Sequence, residues 1–92
     1  MQFKQIKIMA KFIKANGAEY VVRPARFKSF KMEEIRRLCK GYVRKIELQY
    51  GQVMFVNEFG YLYDGMIFNK RASQIADEDI YGNVVICTKD EI

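Results

Sequence analysis

The sequence predicts one small α+β domain that spans residues 1–92. We expect a mostly antiparallel sheet of about five strands, one main helix packed on one face, and a second short helix. Half of the residues are hydrophobic, as in globular rather than disordered chains. Alternating or uniformly apolar runs between Gly- and Asn-rich turns predict the strands, and one amphipathic segment predicts the main helix.

The N-terminal part of the chain predicts a β-hairpin. Residues 3–15 alternate well enough between apolar and polar types to form a strand. Asn16 and Gly17 follow, and both tolerate the positive φ angles that a tight hairpin turn requires. Residues 19–23 are then the returning strand, which Pro24 ends because it has no N–H to give a neighbouring strand.

Residues 32–40 predict the main helix. Its apolar face consists of Met32, Ile35, Leu38 and Cys39. Gly41 suits the position just after the helix, where a left-handed backbone is common. The helix therefore leads directly into the next predicted strand.

The second half of the chain predicts strands at 42–50, 53–56 and 84–87, with a turn at Gly51 and Gln52. The strands at 53–56 and 84–87 are apolar on both faces, which indicates central strands that are buried on both sides. Asn69 is a good N-cap for a short helix at 70–75, which we expect to close an end of the sheet. The predicted core includes Ile35, Leu38, Ile46, Leu48, Phe55 and Val85.

The residues that usually carry catalysis do not predict an enzyme here. The chain has no histidine, which removes Ser-His-Asp and Cys-His chemistry, although Lys, Tyr or carboxylate catalysis stays open. Cys39 and Cys87 lie far apart without a CxxC pair, so buried thiols are the favoured interpretation. We expect no catalytic residue, no metal and no cofactor.

Positive charge is concentrated in the first half of the chain. Residues 1–45 hold 13 Lys or Arg against 3 Asp or Glu, whereas residues 46–92 hold 3 against 8. Such asymmetry is a hint of nucleic-acid contact, although solvated faces of the hairpin and helix are the favoured alternative. The candidate nucleic-acid-binding residues are Lys7, Lys11, Arg23, Arg26, Lys28, Arg36, Arg37, Lys40, Arg44 and Lys45.

Aromatic residues crowd the second half of the chain, in larger number than one small core readily hides. An exposed patch for a protein partner is one interpretation, although core or half-buried sheet packing is the favoured role for any single ring. Two asparagines could also contact a ligand, although a turn at Asn57 and a helix cap at Asn69 are the favoured explanation. The candidate partner-binding residues are Tyr42, Tyr50, Phe59, Tyr61, Tyr63, Asn57 and Asn69.

Several short motifs resemble a family of small uncharacterised domains encoded by bacteriophages, plasmids and integrated elements. The motifs are NG at 16–17, VVRP at 21–24, MEEI at 32–35, GYV at 41–43, VNEFG at 56–60, FNKRA at 68–72 and GNVVIC at 82–87. They are similar to the family's "GGYIE", "VNEEG", "LNxxAT" and "GDVVIC" patterns. Lys40 replaces a second glycine, and Ser73 replaces threonine. The resemblance implies a mobile-element origin and a compact α+β domain, and it implies no activity.

Three classes of function follow. The first is a non-enzymatic binding protein of a phage or mobile element that inhibits or modulates a host protein, anti-phage defence included. The second is a basic nucleic-acid-binding accessory protein, and the third is a small-ligand or nucleotide-binding domain at an oligomer interface. We expect a cytoplasmic location in a bacterial host, because no apolar run approaches the roughly 20 residues of a membrane helix. A host protein is the expected partner, with nucleic acid and a homo-oligomer left open.

The charge pattern leads to a test of the first two classes. If the basic half contacts duplex DNA, affinity should fall with salt with a log–log slope of roughly −0.9 per phosphate neutralised. The double substitution Arg36→Ala and Arg37→Ala should then flatten that slope by up to about two units. We expect instead that weak retention at low salt vanishes near about 0.15 M salt, because no groove-reading element accompanies the charge. Sub-micromolar binding by fluorescence anisotropy at that salt would contradict this expectation.

Overall fold

The computed structural model describes residues 10–24, 29–62 and 66–92. The α+β class is confirmed: the described chain forms a five-stranded antiparallel sheet and two α-helices. Residues 3–9 of the predicted first strand lie outside the described residues. The elements are β1 (Ala10–Ile13), β2 (Glu19–Val22), α1 (Met32–Cys39), β3 (Val43–Glu47), β4 (Gln52–Asn57), α2 (Lys70–Ala76) and β5 (Val84–Thr88), with 3₁₀ turns at Gly60–Leu62 and Lys89–Glu91.

The strand order in the sheet is β2-β1-β5-β4-β3, and every neighbouring pair is antiparallel. The last strand of the chain therefore lies at the centre. There it joins the N-terminal hairpin to the β3–β4 hairpin, with Phe12 and Phe55 both opposite Val85. Strands β2 and β3 form the two edges of the described sheet.

Both faces of the sheet are covered, because successive residues of β4 and β5 point to opposite sides. The cluster on the α1 side contains Ala10, Phe30, Ile35, Cys39, Val53, Phe55, Val85 and Cys87. The cluster on the other side contains Ile13, Met54, Val56, Ala72, Ile80, Val84 and Ile86, with Ile75 and Ala76 of α2 packed against it. Helix α2 thus covers the face opposite α1, whereas we expected it to cover an end of the sheet. The reason is that β4 and β5 have apolar side chains on both faces, so the second face also needs a covering layer.

The predicted core is confirmed at Ile35, Phe55 and Val85, which are buried. Leu38, Ile46 and Leu48 are only partly buried and pack around the margins of the two clusters. Met32 is exposed, although the helical pattern placed it on the apolar face. Helix α1 contacts β3, β4 and β5, and the residues that it buries against them are Ile35 and Cys39 rather than Met32.

The two ends of α1 are closed by backbone and side-chain groups near the helix. The Lys31 N–H donates to Glu34 Oε1 at 2.9 Å, which is half of a capping box. Lys40 takes the left-handed conformation that we expected of Gly41, with φ of 64°. Gly41 is required for a different reason: a Cβ on it would lie 3.0 Å from Asn57 Nδ2, at a φ of 149°.

No helix in the described ranges is long and apolar enough to cross a membrane.

The turn between β3 and β4 holds a tyrosine in a strained conformation. The Gln52 N–H donates to Gln49 O at 3.2 Å, so Tyr50 and Gly51 are the central residues of the turn. Both have positive φ, of 60° and 74°, as a type I′ turn requires. The predicted strand therefore ends before Tyr50, whose side chain is 93% exposed. A bulky residue is rare at such an angle, because its Cβ approaches the carbonyl oxygen.

This strain gives a stability prediction. Replacing Tyr50→Gly should raise the free energy of unfolding by about 1 kcal/mol, since glycine adopts positive φ without the left-handed penalty of about 1–2 kcal/mol. Urea denaturation followed by circular dichroism measures the change. The matched control is Gln49→Gly in the same turn, at a residue without positive φ, and it should lower stability by about 0.5–1 kcal/mol. Equal effects of the two substitutions would contradict the strain at Tyr50.

Candidate functional site

Asn57 organises one end of the sheet, where β4 ends and β3 begins. Its Nδ2 donates to Cys39 O at 3.0 Å and to Lys40 O at 3.2 Å, which satisfies carbonyls at the end of α1. Its Oδ1 accepts from the Phe59 N–H at 2.9 Å. The buried amide thus joins the end of the helix to the turn that carries Phe59.

Asn69 performs a similar role on the other side of the same end. Its Oδ1 accepts from the Ala72 N–H at 3.0 Å, which confirms the predicted N-cap of α2. Its Nδ2 donates to Ile13 O at 3.2 Å and to Gly82 O at 2.8 Å. Asn57 and Asn69 were candidate partner-binding residues, but the structure buries both and uses their amides inside the chain. They position the surrounding segments instead.

The segment at residues 81 and 82 lies between two exposed stretches of chain. The Phe68 ring packs edge-on against the Tyr81 ring, with centroids 5.5 Å apart. The Gly82 N–H donates to Ile67 O at 2.8 Å. On the other side Gly60 approaches so closely that a Cβ on it would lie 2.9 Å from Tyr81 O. The 3₁₀ turn Gly60–Leu62 and the stretch 67–68 therefore flank the same segment.

Tyr42 adds a third stretch to this end of the molecule. Its carbonyl oxygen accepts from the Glu58 N–H at 2.8 Å, which places Tyr42 beside the turn that follows β4. Six apolar or aromatic side chains from the three stretches are between 40% and 69% exposed. We name them the aromatic end surface: Tyr42, Phe59, Tyr61, Leu62, Ile67 and Phe68.

The structure brings together only part of the predicted partner-binding set. Tyr42, Phe59 and Tyr61 belong to the aromatic end surface, whereas Tyr50 lies in the turn at the opposite end of β4. Tyr63 lies outside the described residues. Leu62, Ile67 and Phe68 were not among the candidates. The sequence does contain a hint of their exposure. The apolar residues between Tyr61 and Phe68 follow neither the period of a strand nor that of a helix, so they do not form one face that could be buried.

The candidate nucleic-acid-binding residues are divided between the two faces of the sheet. Lys11 and Arg44 lie on the α2 side, where Lys11 is 3.9 Å from Glu19 and Arg44 is 2.7 Å from Glu78. Lys45, opposite Phe55, lies on the α1 side. The α1 side also carries Arg36 and Arg37 of the helix and Lys40, which follows the helix. Arg23 is the residue directly after β2. Lys7, Arg26 and Lys28 lie outside the described residues.

Charged residues also border the aromatic end surface. The Arg36 guanidinium lies 5.0 Å from the centre of the Tyr42 ring, within the range of a cation–π contact. An open groove of about 380 Å³ adjoins Ile67 and is bordered by Lys14 and Lys40. A cavity of about 60 Å³ beside Tyr61 includes Arg44 and Asp79. The rim of the surface therefore carries both signs of charge.

Both cysteines are buried thiols outside any disulfide, as the sequence predicted. The Cys39 Sγ lies 3.5 Å from Phe55 O, to which it donates a weak hydrogen bond. Burial raises the pKa of the Cys39 thiol to about 12. Across the described ranges, no three His, Cys, Asp or Glu side chains lie close enough together to hold a metal ion.

In comparisons with known proteins, no family model matches the chain, and no curated protein and no solved structure shows significant similarity to it. The resemblance to the mobile-element family therefore stays a prediction that is based on the short motifs alone.

The buried thiol gives a pH prediction. The neutral Cys39 of the folded protein keeps its proton up to about pH 12, whereas the exposed thiol of the unfolded chain loses it near pH 9. The Cys39 contribution to stability should therefore be complete below pH 9 and decline as the pH rises from about 9 to about 12. Urea unfolding across this range should show a shallower decline for Cys39→Ala than for the wild-type chain.

The same burial predicts slow thiol chemistry. At neutral pH, Ellman's reagent should label the folded protein slowly and both cysteines rapidly once the chain is unfolded in denaturant. Fast stoichiometric labelling of the folded protein would contradict the buried assignment and indicate an activated thiolate.

Proposed function

We propose that this protein is a small non-enzymatic binding protein of a bacteriophage or other mobile element, which inhibits or modulates a host protein by covering part of its surface. The observation that carries the proposal is the aromatic end surface. Anti-phage defence proteins are among the host targets that such a protein would serve to block.

The clustering of exposed apolar side chains supports a protein partner. Single exposed hydrophobic residues are normal on a folded domain, whereas a patch of several such residues, on chain segments that meet at one end of a domain, favours an interaction surface. This patch contains Tyr42 and Tyr61, and an arginine lies over the Tyr42 ring. Tyrosine and arginine are enriched among the residues that dominate binding energy at protein interfaces.

The internal hydrogen bonds of Asn57 and Asn69 support the same proposal. They tie the stretches that carry the surface to the ends of α1, β1 and α2. A surface whose backbone is already held in place loses less conformational entropy on binding than a mobile loop does. Its mixed-charge border also resembles the polar rim that surrounds the apolar centre of protein interfaces.

The charge distribution favours a protein partner over nucleic acid. The described basic residues lie on both faces of the sheet, and Lys11 and Arg44 already pair with carboxylates. A nucleic-acid surface needs its cations along one path that follows the phosphates. The mobile-element origin is supported by the motif resemblance.

The test is affinity capture from a bacterial host lysate with purified, immobilised protein. Wild-type protein should retain a host protein at about 0.15 M salt, and nuclease treatment should not release it. Tyr61→Asp and Leu62→Asp together should abolish retention, because two carboxylates would have to be desolvated within an apolar contact. Mass spectrometry identifies the retained protein, and calorimetry with that protein then measures the affinity of each variant.

The matched control is Tyr50→Asp, which changes an exposed tyrosine at the opposite end of the sheet and should leave retention intact. Circular dichroism confirms that every variant is folded. Retention that survives the change at Tyr61 and Leu62 would contradict the proposed surface. Retention that is lost with nuclease would favour the nucleic-acid class instead.

A further inference from the structure

Strand β2 is an edge of the sheet that the described residues form, and the backbone groups that point away from this sheet can be assigned. The Lys14 N–H donates to Ala18 O at 2.8 Å, so the backbone of Ala18 points toward β1. Orientation alternates along an antiparallel strand, so Tyr20 and Val22, opposite Phe12 and Ala10, point the same way. Pro24 holds the preceding residue extended, which continues the alternation by one position. The residues whose backbone groups point away from the sheet are Glu19, Val21 and Arg23.

The two edges of the sheet differ in their protection. Natural sheets protect edges with charged side chains, and β3 has three charged residues among its five. Strand β2 is Glu-Tyr-Val-Val, with one charge, and Tyr20 and Val21 are each 52% exposed. Unpaired backbone groups beside half-exposed apolar side chains make β2 the edge that favours pairing with another strand.

We propose that two copies of this chain pair through β2, antiparallel, with Val21 of each copy on the two-fold axis. The five strands of each copy would then form one continuous sheet. This interface is separate from the aromatic end surface, so the proposal goes beyond the proposed function and does not depend on it.

The register with Val21 opposite Val21 is self-complementary. It sets Glu19 of one copy opposite Arg23 of the other, and Tyr20 opposite Val22. Each of the three outward residues then meets an outward residue, so every one of these pairs can exchange both of its backbone hydrogen bonds. A shift by one residue would set Tyr20 opposite Val21, so that an inward residue meets an outward one and the backbone hydrogen bonds are lost. A shift by two residues would set Tyr20 opposite itself and Glu19 opposite Val21, which separates the opposite charges.

The charges at the two ends of this register can pair. Arg23 is exposed and has no carboxylate within 4.0 Å among the residues that the structure describes. Glu19 Oε2 is 3.2 Å from Arg71 Nε, whereas the ion pair of Oε1 within the described residues is the long one to Lys11 Nζ, at 3.9 Å. The Oε1 atom therefore retains capacity for a second cation, and a carboxylate accepts an arginine readily.

The alternative of pairing through β3 is less favourable. With Lys45 on the two-fold axis, two ammonium groups would lie opposite each other, which destabilises a strand pair. In the register shifted by two residues, with Ile46 on the axis, Lys45 would meet Glu47, but Glu47 already pairs with Lys89 at 2.9 Å. Charge and exposed apolar area therefore both favour β2 for a second copy.

The first experiment measures association and locates it. Sedimentation velocity over roughly 10 µM to 1 mM should show the mass rising from one chain toward two, as expected for a contact below about 1,200 Å². Hydrogen exchange by NMR over the same range should show growing protection of the Glu19, Val21 and Arg23 amides. The amides of Val43 and Lys45 on the other edge should not change. A chain that stays monomeric at 1 mM overturns the proposal.

Two pairs of variants test the register. Val21→Lys places two ammonium groups on the axis and should raise the dimer dissociation constant at least tenfold, whereas Leu62→Lys should leave it unchanged. Arg23→Glu sets two carboxylates opposite each other and should also weaken the dimer at least tenfold, with a smaller effect in 0.5 M salt. Its matched control is Arg37→Glu on α1, which should have no effect.

The outcomes separate this proposal from the proposed function. A dimer that Val21→Lys leaves intact and Leu62→Lys dissociates would mean that the copies meet through the aromatic end surface, which overturns pairing through β2. Loss of the dimer in Val21→Lys while host-protein capture persists would support both interfaces independently. If Val21→Lys fails to fold, Arg23→Glu and the exchange pattern at Glu19, Val21 and Arg23 still decide the question.

Discussion

Strand β5 lies between β1 and β4 and is apolar on both faces, so its burial requires a covering layer on each side of the sheet. Val85 and Cys87 pack toward α1, while Val84 and Ile86 pack toward α2. The rest of the fold satisfies this requirement: the two hairpins supply paired strands on either side of β5, and the helices cover the faces. Because β5 comes last in the chain, its pairing with β1 joins residues that are distant in sequence and closes the sheet.

The two buried asparagines connect this core to the molecular surface. A buried amide without hydrogen bonds would destabilise the fold. Each of these side chains instead makes hydrogen bonds to backbone groups of separate elements. Such a side chain specifies where a turn lies relative to a helix or strand. The stretches around Phe59 and Phe68 are thus held by the core while their rings face outward, which is the arrangement that a pre-formed binding surface needs.

The two proposed interfaces would bind through different groups, one through side chains and the other mainly through backbone hydrogen bonds. The aromatic end surface offers apolar side chains on connections between strands, where the Glu58, Leu62 and Gly82 N–H groups donate hydrogen bonds within the chain. Strand β2 offers unsatisfied backbone groups and a self-complementary charge pattern, which suit a second copy rather than an arbitrary partner. Keeping these contacts apart would allow a pair of chains to present two copies of the aromatic end surface, and such bivalency raises apparent affinity when the target is also multivalent.

Local sequence patterns determined the elements of this protein. The Asn16-Gly17 turn, the amphipathic run in α1, the N-cap at Asn69 and the two-sided apolar strands are features of short stretches of sequence, and the structure has all of them. In the turn, however, Gly17 has positive φ and Asn16 does not. The tertiary structure decided the central place of β5, the position of α2 on the second face and the exposure of Met32 and Tyr50. It also brought the segments that carry Tyr42, Tyr61 and Ile67 to the same end of the sheet. These features depend on contacts between residues far apart in the chain, on which a local pattern carries no information. For the same reason the sequence could suggest aromatic partner-binding residues but could not separate Tyr50 from Tyr61, or anticipate that Asn57 would be buried.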